Sequence, residues 1–245
     1  MTETKTVLNY TMIKTSDSDK VSVIVVCGGS SSRMGGIDKM MQDIKGIPVC
    51  IRSCLKFQNN ATVSNIVVVT KSESILKMQQ LCEAFKITKV TDIVEGGNCR
   101  QQSVANGLKQ LSDDTDIVLI HDGARPFVTN DCIDRVIEKA RELSAVTCAV
   151  PLKDTVKTVR DDGLVTATPD RSTLQSVQTP QGFKFGLYKS AVLANLDNLD
   201  KFTDDCSIVE AFGYPVYTCM GDYKNIKITT AEDLKIAEIF AEDSI

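Results

Sequence analysis

Four short apolar runs recur through the first 150 residues of this 245-residue chain, and each ends in small or polar residues. Val21 to Cys27 stops at Gly28-Gly29. Ile66 to Thr70, Ile117 to His121 and Ala145 to Val150 repeat the pattern. A run of that length without polar alternation is how a strand buried on both faces reads. Between the runs, apolar residues step by three and four, as in Ile75, Met78, Cys82 and Phe85, and again in Ile133, Val136, Ile137 and Ala140. That is the spacing of one helix face, and Thr129 or Asn130 would cap the second helix. Strand and helix in alternation predict an α/β fold with a mostly parallel sheet and helices on both faces. Ligands of such sheets sit beyond the carboxyl ends of the strands, so the residues just after each strand are the ones to read for chemistry.

After Val150 the rhythm breaks. Pro151 to Pro180 shows no helical period, which predicts an arm or hairpin projecting from the sheet over about 152–180. Helical spacing returns over Phe183 to Leu196 and Ser207 to Phe212, a strand over Pro215 to Met220, and a last helix over Ala231 to Phe240. The last helix should turn Leu234, Ala237, Ile239 and Phe240 inward. Residues 21–245 read as a single domain, and the polar residues 1–20 as a flexible extension.

Composition removes several classes of function. Lys and Arg total 28 against 32 Asp and Glu, a net charge of −4 that argues against nucleic acid as a partner. No apolar run approaches the ~20 residues needed to span a bilayer, so no membrane partner is expected. One histidine, His121, excludes a His-rich zinc site. Nine cysteines, an odd number with no Cys-x-x-Cys, read as buried thiols of a reducing, cytoplasmic compartment.

Three strand ends carry chemistry. The first reads Gly28-Gly29-Ser30 and continues to Arg33 and Lys39. Small residues let backbone amides approach an anion, and two cations stand at the same mouth. It is neither a P-loop nor a dinucleotide fingerprint; the anion-binding reading is favoured over a plain glycine-rich turn with solvated charges. The second, Glu95-Gly96-Gly97-Asn98-Cys99-Arg100 to Ser103, opens a helix whose first turn can meet an anion or a polar base edge, or is an ordinary helix start. The third is His121-Asp122-Gly123-Ala124-Arg125-Pro126. Asp122 suits Mg²⁺, which wants carboxylate oxygen and shares its coordination with phosphates; it also reads as a turn aspartate. For His121 a structural role is favoured over catalysis.

Together these residues resemble the 2-C-methyl-D-erythritol 4-phosphate cytidylyltransferase family from Val21 to about Phe240. Five ordered elements carry the resemblance. They are Gly29-x-x-x-Arg33-Met34 with Lys39; Gly96-Gly97-x-x-Arg100-x-x-Ser103; Asp122-x-Ala124-Arg125-Pro126; the arm from Pro151-x-Lys153-Asp154-Thr155 through Asp170-Arg171 to Gln178-Thr179-Pro180-Gln181; and Thr203-Asp204-Asp205 with Asn225-Ile226-Lys227. The resemblance implies a Rossmann-like nucleotidyltransferase fold with a projecting β-arm, a homodimer formed through that arm, and Mg²⁺-dependent transfer of CMP from CTP to methylerythritol phosphate. It implies that Arg33 and Lys39 stabilise the transition state, and that Gly28, Gly29, Ser30, Gly97, Ser103 and Asp122 hold the nucleotide. Asp122, Arg125, Thr155, Arg171, Thr179 and Lys227 would hold the acceptor, Arg171 and Lys227 would position it for attack, and Asp122 would be the metal ligand. This chain departs from the family in having Gly28 and Gly123 where Ala is frequent, and Gln175 near the place of an aromatic.

Three other readings compete with this one. A ribitol-5-phosphate cytidylyltransferase shares the first loop, the Asp-x-x-Arg-Pro element and the Asn-Ile-Lys element, but Thr168-Pro169-Asp170-Arg171 fits the methylerythritol type better. A non-catalytic sugar-nucleotide sensor would lack Arg33, Lys39 or Asp122. A Rossmann oxidoreductase would need the fingerprint that is missing.

Overall fold

The computed structural model describes residues 19–28 and 38–242. The expected extension over 1–20, apart from Asp19 and Lys20, lies outside the described residues, as do Gly29, Ser30 and Arg33.

The described chain enters through β1 (Val21–Val26), turns through β2 (Asp43–Ile44) and β3 (Ile47–Pro48), and continues by α1 (Val49–Gln58) into β4 (Val63–Thr70). Then α2 (Ile75–Ala84), β5 (Val90–Glu95), α3 (Arg100–Leu108) and β6 (Ile117–Asp122) alternate, and α4 (Asn130–Leu143) leads into β7 (Ala145–Pro151). A small hairpin of β8 (Thr158–Val159) and β9 (Val165–Ala167) precedes the long strand β10 (Gln175–Lys184). Helices α5 (Phe185–Ala194) and α6 (Asp205–Ala211), strand β11 (Tyr217–Met220) and helix α7 (Ala231–Glu242) follow.

Seven strands form one sheet in the order β11-β7-β10-β6-β1-β4-β5. All neighbours are parallel except β10, which runs antiparallel to both β6 and β7. The expected mostly parallel sheet is present, with helices on both faces. Alternate residues of β1 point to opposite sides: Val21, Val23 and Val25 meet residues of α1, α2 and α4, while Ile24 and Val26 meet residues of α3, α5 and α6. All six β1 residues are buried, including Ser22, whose hydroxyl is hydrogen-bonded to Asn65. From β1 the chain works outward to β4 and β5, then crosses to β6 on the other side of β1. That reversal opens a crevice at the carboxyl ends of β1 and β6, where Gly28 and Asp122 lie.

The structure moves two expected boundaries and turns one expected core residue outward. Phe183 and Lys184 do not begin a helix; they end β10, where Phe183 is buried and pairs with Val118 and Ala145. The projecting arm stops near Leu174, because Gln178 to Phe183 lie buried between β6 and β7. Pro180 can donate no ladder bond, and it falls where the pairing with β7 jumps between Val177 and Gln181. In α7, Ala237 and Ala241 face the core, whereas Ile239 is 61% exposed. Thr129 caps α4, its side chain accepting from the Cys132 N–H.

Candidate active site

Two clefts of about 500 Å³ each open at the carboxyl ends of the strands, and Arg100 lines both. The first runs between Gly28, the end of β4 and the β5–α3 loop, with Gly96, Gly97 and Ser103 in its wall. Its loop is fixed by short-range bonds. The Gly96 N–H donates to the Thr70 carbonyl at 2.8 Å, the Gly97 N–H to Ser103 Oγ at 3.0 Å, and Ser103 Oγ to the Cys99 carbonyl at 2.9 Å. A methyl group on Gly97 would come within 2.1 Å of Gln102 Cγ, so the loop in this shape requires glycine.

The second cleft lies between β6, β10, α6 and the loop after β11, and it includes Asp122, Arg125, Thr179 and Lys227. Asp122 stands at the seam between the clefts. Arg100 Nε donates to its Oδ1 at 2.9 Å, Lys227 Nζ pairs with its Oδ2 at 2.7 Å, and Arg125 Nε lies 3.9 Å from Oδ2. Burial would push this carboxyl upward, but Arg100, Lys227 and Arg125 together hold it far below the usual carboxylate range. Arg100 also donates from Nη1 to Asp205 Oδ2 at 2.7 Å. Burial works against its charge, and the two carboxylates outweigh it, so the guanidinium stays charged. Three cations thus meet two carboxylates, a net positive seam suited to two anionic substrates.

The loop carrying Lys227 is locked to β10. Gln178 Nε2 donates to the Asp222 carbonyl at 2.8 Å, Asn225 Nδ2 to the Thr179 carbonyl at 2.9 Å, and Arg125 Nη1 to the Asn225 carbonyl at 2.8 Å. Thr179 Oγ1 accepts the Asp122 N–H at 3.0 Å and meets His121 Nδ1 at 3.1 Å. His121 itself is wholly buried, which agrees with the structural role expected for it.

The structure therefore brings Gly28, Gly97 and Ser103 to one cleft, and Asp122, Arg125, Thr179 and Lys227 to the other. Lys39 opens a short 3-10 turn, Lys39–Met41, whose N-cap Asp38 accepts the Met40 N–H. Thr155 and Arg171 line neither cleft; both are exposed on the arm, where Arg171 donates to the Lys153 carbonyl. The sequence offers Arg100, Gln181, Asp205 and Asn225 only as motif letters without a role, and nothing in it singles out Tyr188. The adjacent pair Asp204-Asp205 ahead of a short helix was the available signal.

Comparison with known proteins gives one consistent family. A family model described as IspD, 2-C-methyl-D-erythritol 4-phosphate cytidylyltransferase, matches residues 21–243. Proteins of that name from Clostridium novyi and Geobacter metallireducens are 42% and 40% identical. Their alignments cover 91% and 92% of this chain, and 97% and 99% of the relatives. The solved structure of 4-diphosphocytidyl-2C-methyl-D-erythritol synthase from Anaerococcus prevotii superposes with a TM-score of 0.81 at 29% identity, covering 91% of this chain and 96% of that one.

Proposed function

The chain belongs to the 2-C-methyl-D-erythritol 4-phosphate cytidylyltransferase family, and on that premise we propose how its residues divide the work. The reaction transfers CMP from CTP to 2-C-methyl-D-erythritol 4-phosphate and releases pyrophosphate. A phosphate oxygen of the acceptor attacks the α-phosphorus. That nucleophile is already anionic near neutrality, so the chain need supply no general base. The barrier lies in bringing two anions together and in the charge that develops on the transferred phosphate and the leaving group.

One observation supports the assignment most directly: Arg100 lines both clefts, and with Arg125 and Lys227 in the second cleft it surrounds the buried carboxylate of Asp122. In our reading the cleft of Gly28, Gly97 and Ser103 takes CTP, and Gly29 and Ser30 share in binding it. The cleft of Asp122, Arg125, Thr179 and Lys227 takes the acceptor. Arg33 and Lys39 act on the triphosphate, and Lys227 on the acceptor phosphate. Thr155 and Arg171 stand on an arm that also exposes Val159, Leu164 and Val165. An arm of that kind is most simply covered by a second copy. We therefore assign a homodimer in which the arm carries Thr155 and Arg171 to the partner's acceptor cleft.

The described residues contain no group of three or more His, Cys, Asp or Glu able to hold a metal alone. That fits Mg²⁺, which keeps waters and binds through one or two carboxylates plus substrate phosphates. Asp122 would be its protein ligand. Bound there, the ion would neutralise charge on the triphosphate. The cysteines are all free and mostly buried, which supports a cytoplasmic setting. No described helix is long and apolar enough to cross a membrane.

The test is pyrophosphate release from CTP with methylerythritol phosphate, ribitol 5-phosphate or no acceptor, with and without EDTA. We expect kcat/KM to favour methylerythritol phosphate by at least ~10²-fold, the scale a polar mismatch in a pocket supports, and activity to vanish with EDTA. Equal turnover of ribitol phosphate would reverse the acceptor assignment, and full activity in EDTA would remove the metal.

A further inference from the structure

Behind the seam lies a second carboxylate that the roles above do not use. Asp205 is completely buried in the first turn of α6. A carboxylate out of water is costly unless both oxygens are satisfied. Here Arg100 Nη1 donates to Oδ2 at 2.7 Å, and the hydroxyl of the equally buried Tyr188 donates to Oδ1 at 2.7 Å. The backbone N–H groups of Asp205 and Cys206 both donate to Gln181 Oε1, at 3.0 and 3.1 Å. Asp205 is thus held from α5, from β10 and by its own helix.

Helix capping does not account for it. Asp204 already caps α6, accepting the Ser207 N–H at 2.9 Å in a capping box. What Asp205 contacts beyond its own neighbourhood is Arg100, the residue common to both clefts. One edge of that guanidinium meets Asp205 and another meets Asp122 Oδ1 at 2.9 Å, which leaves Asp122 Oδ2 facing Lys227. Two effects follow. The guanidinium plane is fixed between the clefts, because a fork held at two points cannot swing. The charge of Arg100 is also shared, so Asp122 keeps negative charge toward Lys227 and the acceptor cleft.

Resting on the cytidylyl-transfer reading, we propose that Asp205, backed by Tyr188, is a positioning residue that acts through Arg100 to orient Asp122 for the transfer. The experiment compares wild type, Tyr188→Phe, Asp205→Asn, Arg100→Ala and the double variant Arg100→Ala/Asp205→Asn by pyrophosphate release, each with a melting curve. Asp205→Asn should lower kcat about tenfold or more, the scale for losing an outer-sphere partner, with KM for CTP near its wild-type value. Methylguanidinium should restore part of the turnover of Arg100→Ala and much less of that of the double variant, in which Asp122 alone is left to hold the added cation. A folded Asp205→Asn enzyme with wild-type kcat overturns the proposal. So does equal rescue of the single and double variants, or no rescue of a folded single variant. Should Asp205→Asn or Arg100→Ala fail to fold, Tyr188→Phe decides, since it removes one bond and no charge. A several-fold fall in its kcat at unchanged KM for CTP supports the relay, and wild-type kcat overturns it. Wild-type inactivity with every acceptor would instead refute the underlying activity, so the two failures are distinct.

Discussion

Acidification should destabilise this protein through one identifiable residue. His121 is the chain's single histidine and is wholly buried. Its Nε2 lies 3.1 Å from the Arg125 carbonyl, which can only accept, so the neutral ring carries its proton there; Nδ1 then accepts from the Thr179 hydroxyl at 3.1 Å. Burial pushes its pKa down to about 4, with the Arg125 carbonyl and Asp122 only partly opposing the shift. Above pH ~6.5 the ring is neutral in both folded and unfolded chains and contributes nothing to the pH dependence. Between ~6.5 and about 4 the unfolded chain takes a proton that the fold refuses, so stability falls as pH falls. Worked through, the loss is about 2 kcal/mol from pH ~7.5 to ~5, with a ceiling of about 3 kcal/mol in stronger acid. Asp122 does not confound this window. Its depressed pKa contributes stability that is present above the ordinary carboxylate range near ~4 and lost only below it. Urea unfolding at the two pH values measures the difference directly. His121→Gln should be less stable at the higher pH but nearly flat between the two. Coincident wild-type curves, or an equal loss in His121→Gln, would refute the reasoning.

Two further outcomes are expected. Gly97→Ala forces the nucleotide loop to shift and breaks the bond to Ser103 Oγ; KM for CTP should rise roughly five- to tenfold, about 1 kcal/mol for one lost bond, and an unchanged KM would take that loop out of the nucleotide site. The full chain should scatter light as a dimer, and a variant with residues 156–168 replaced by a short glycine linker should be a monomer; a monomeric full chain would remove the arm's assigned role.

The parallel part of the fold was legible because its strands are buried on both faces. Burial of that kind leaves an almost wholly apolar run, as in Ile117–Ile120 and in Val21–Val26, where Ser22 is the single polar residue and is hydrogen-bonded to Asn65. The sequence was opaque where that condition failed. Strand β10 carries Gln178, Thr179 and Gln181 into the sheet interior, where each is buried but hydrogen-bonded to Asp222, Asp122 or Asp204. Such residues read as loop, since their partners lie 23 or more positions away. β5 was obscured for the opposite reason: it is an edge strand, half-exposed, and Asp92 and Glu95 break its apolar pattern. The site divides in the same way. Gly97, Asp122 and Lys227 announce themselves at strand ends or in short motifs, while Asp205 and Tyr188 act only through contacts that the fold creates.

Exposure separates the three cations around Asp122. The side chains of Arg100 and Arg125 are 22% and 12% exposed, whereas that of Lys227 is 42% exposed. Lys227 is also a point charge on a flexible stem, and the other two are planar forks anchored to other groups, Arg100 to Asp205 and Arg125 to the Asn225 carbonyl. An arriving phosphate therefore meets one cation able to change partners and two that are fixed. If Lys227 turned from Asp122 to the substrate, as proposed, Arg100 would still hold the other carboxylate oxygen at 2.9 Å, and Asp122 would not be left as an unpaired buried charge. The same step would be costly if Lys227 were the only partner of Asp122. On the proposed roles, the buried pair of Arg100 and Asp205 keeps Asp122 compensated while Lys227 exchanges partners.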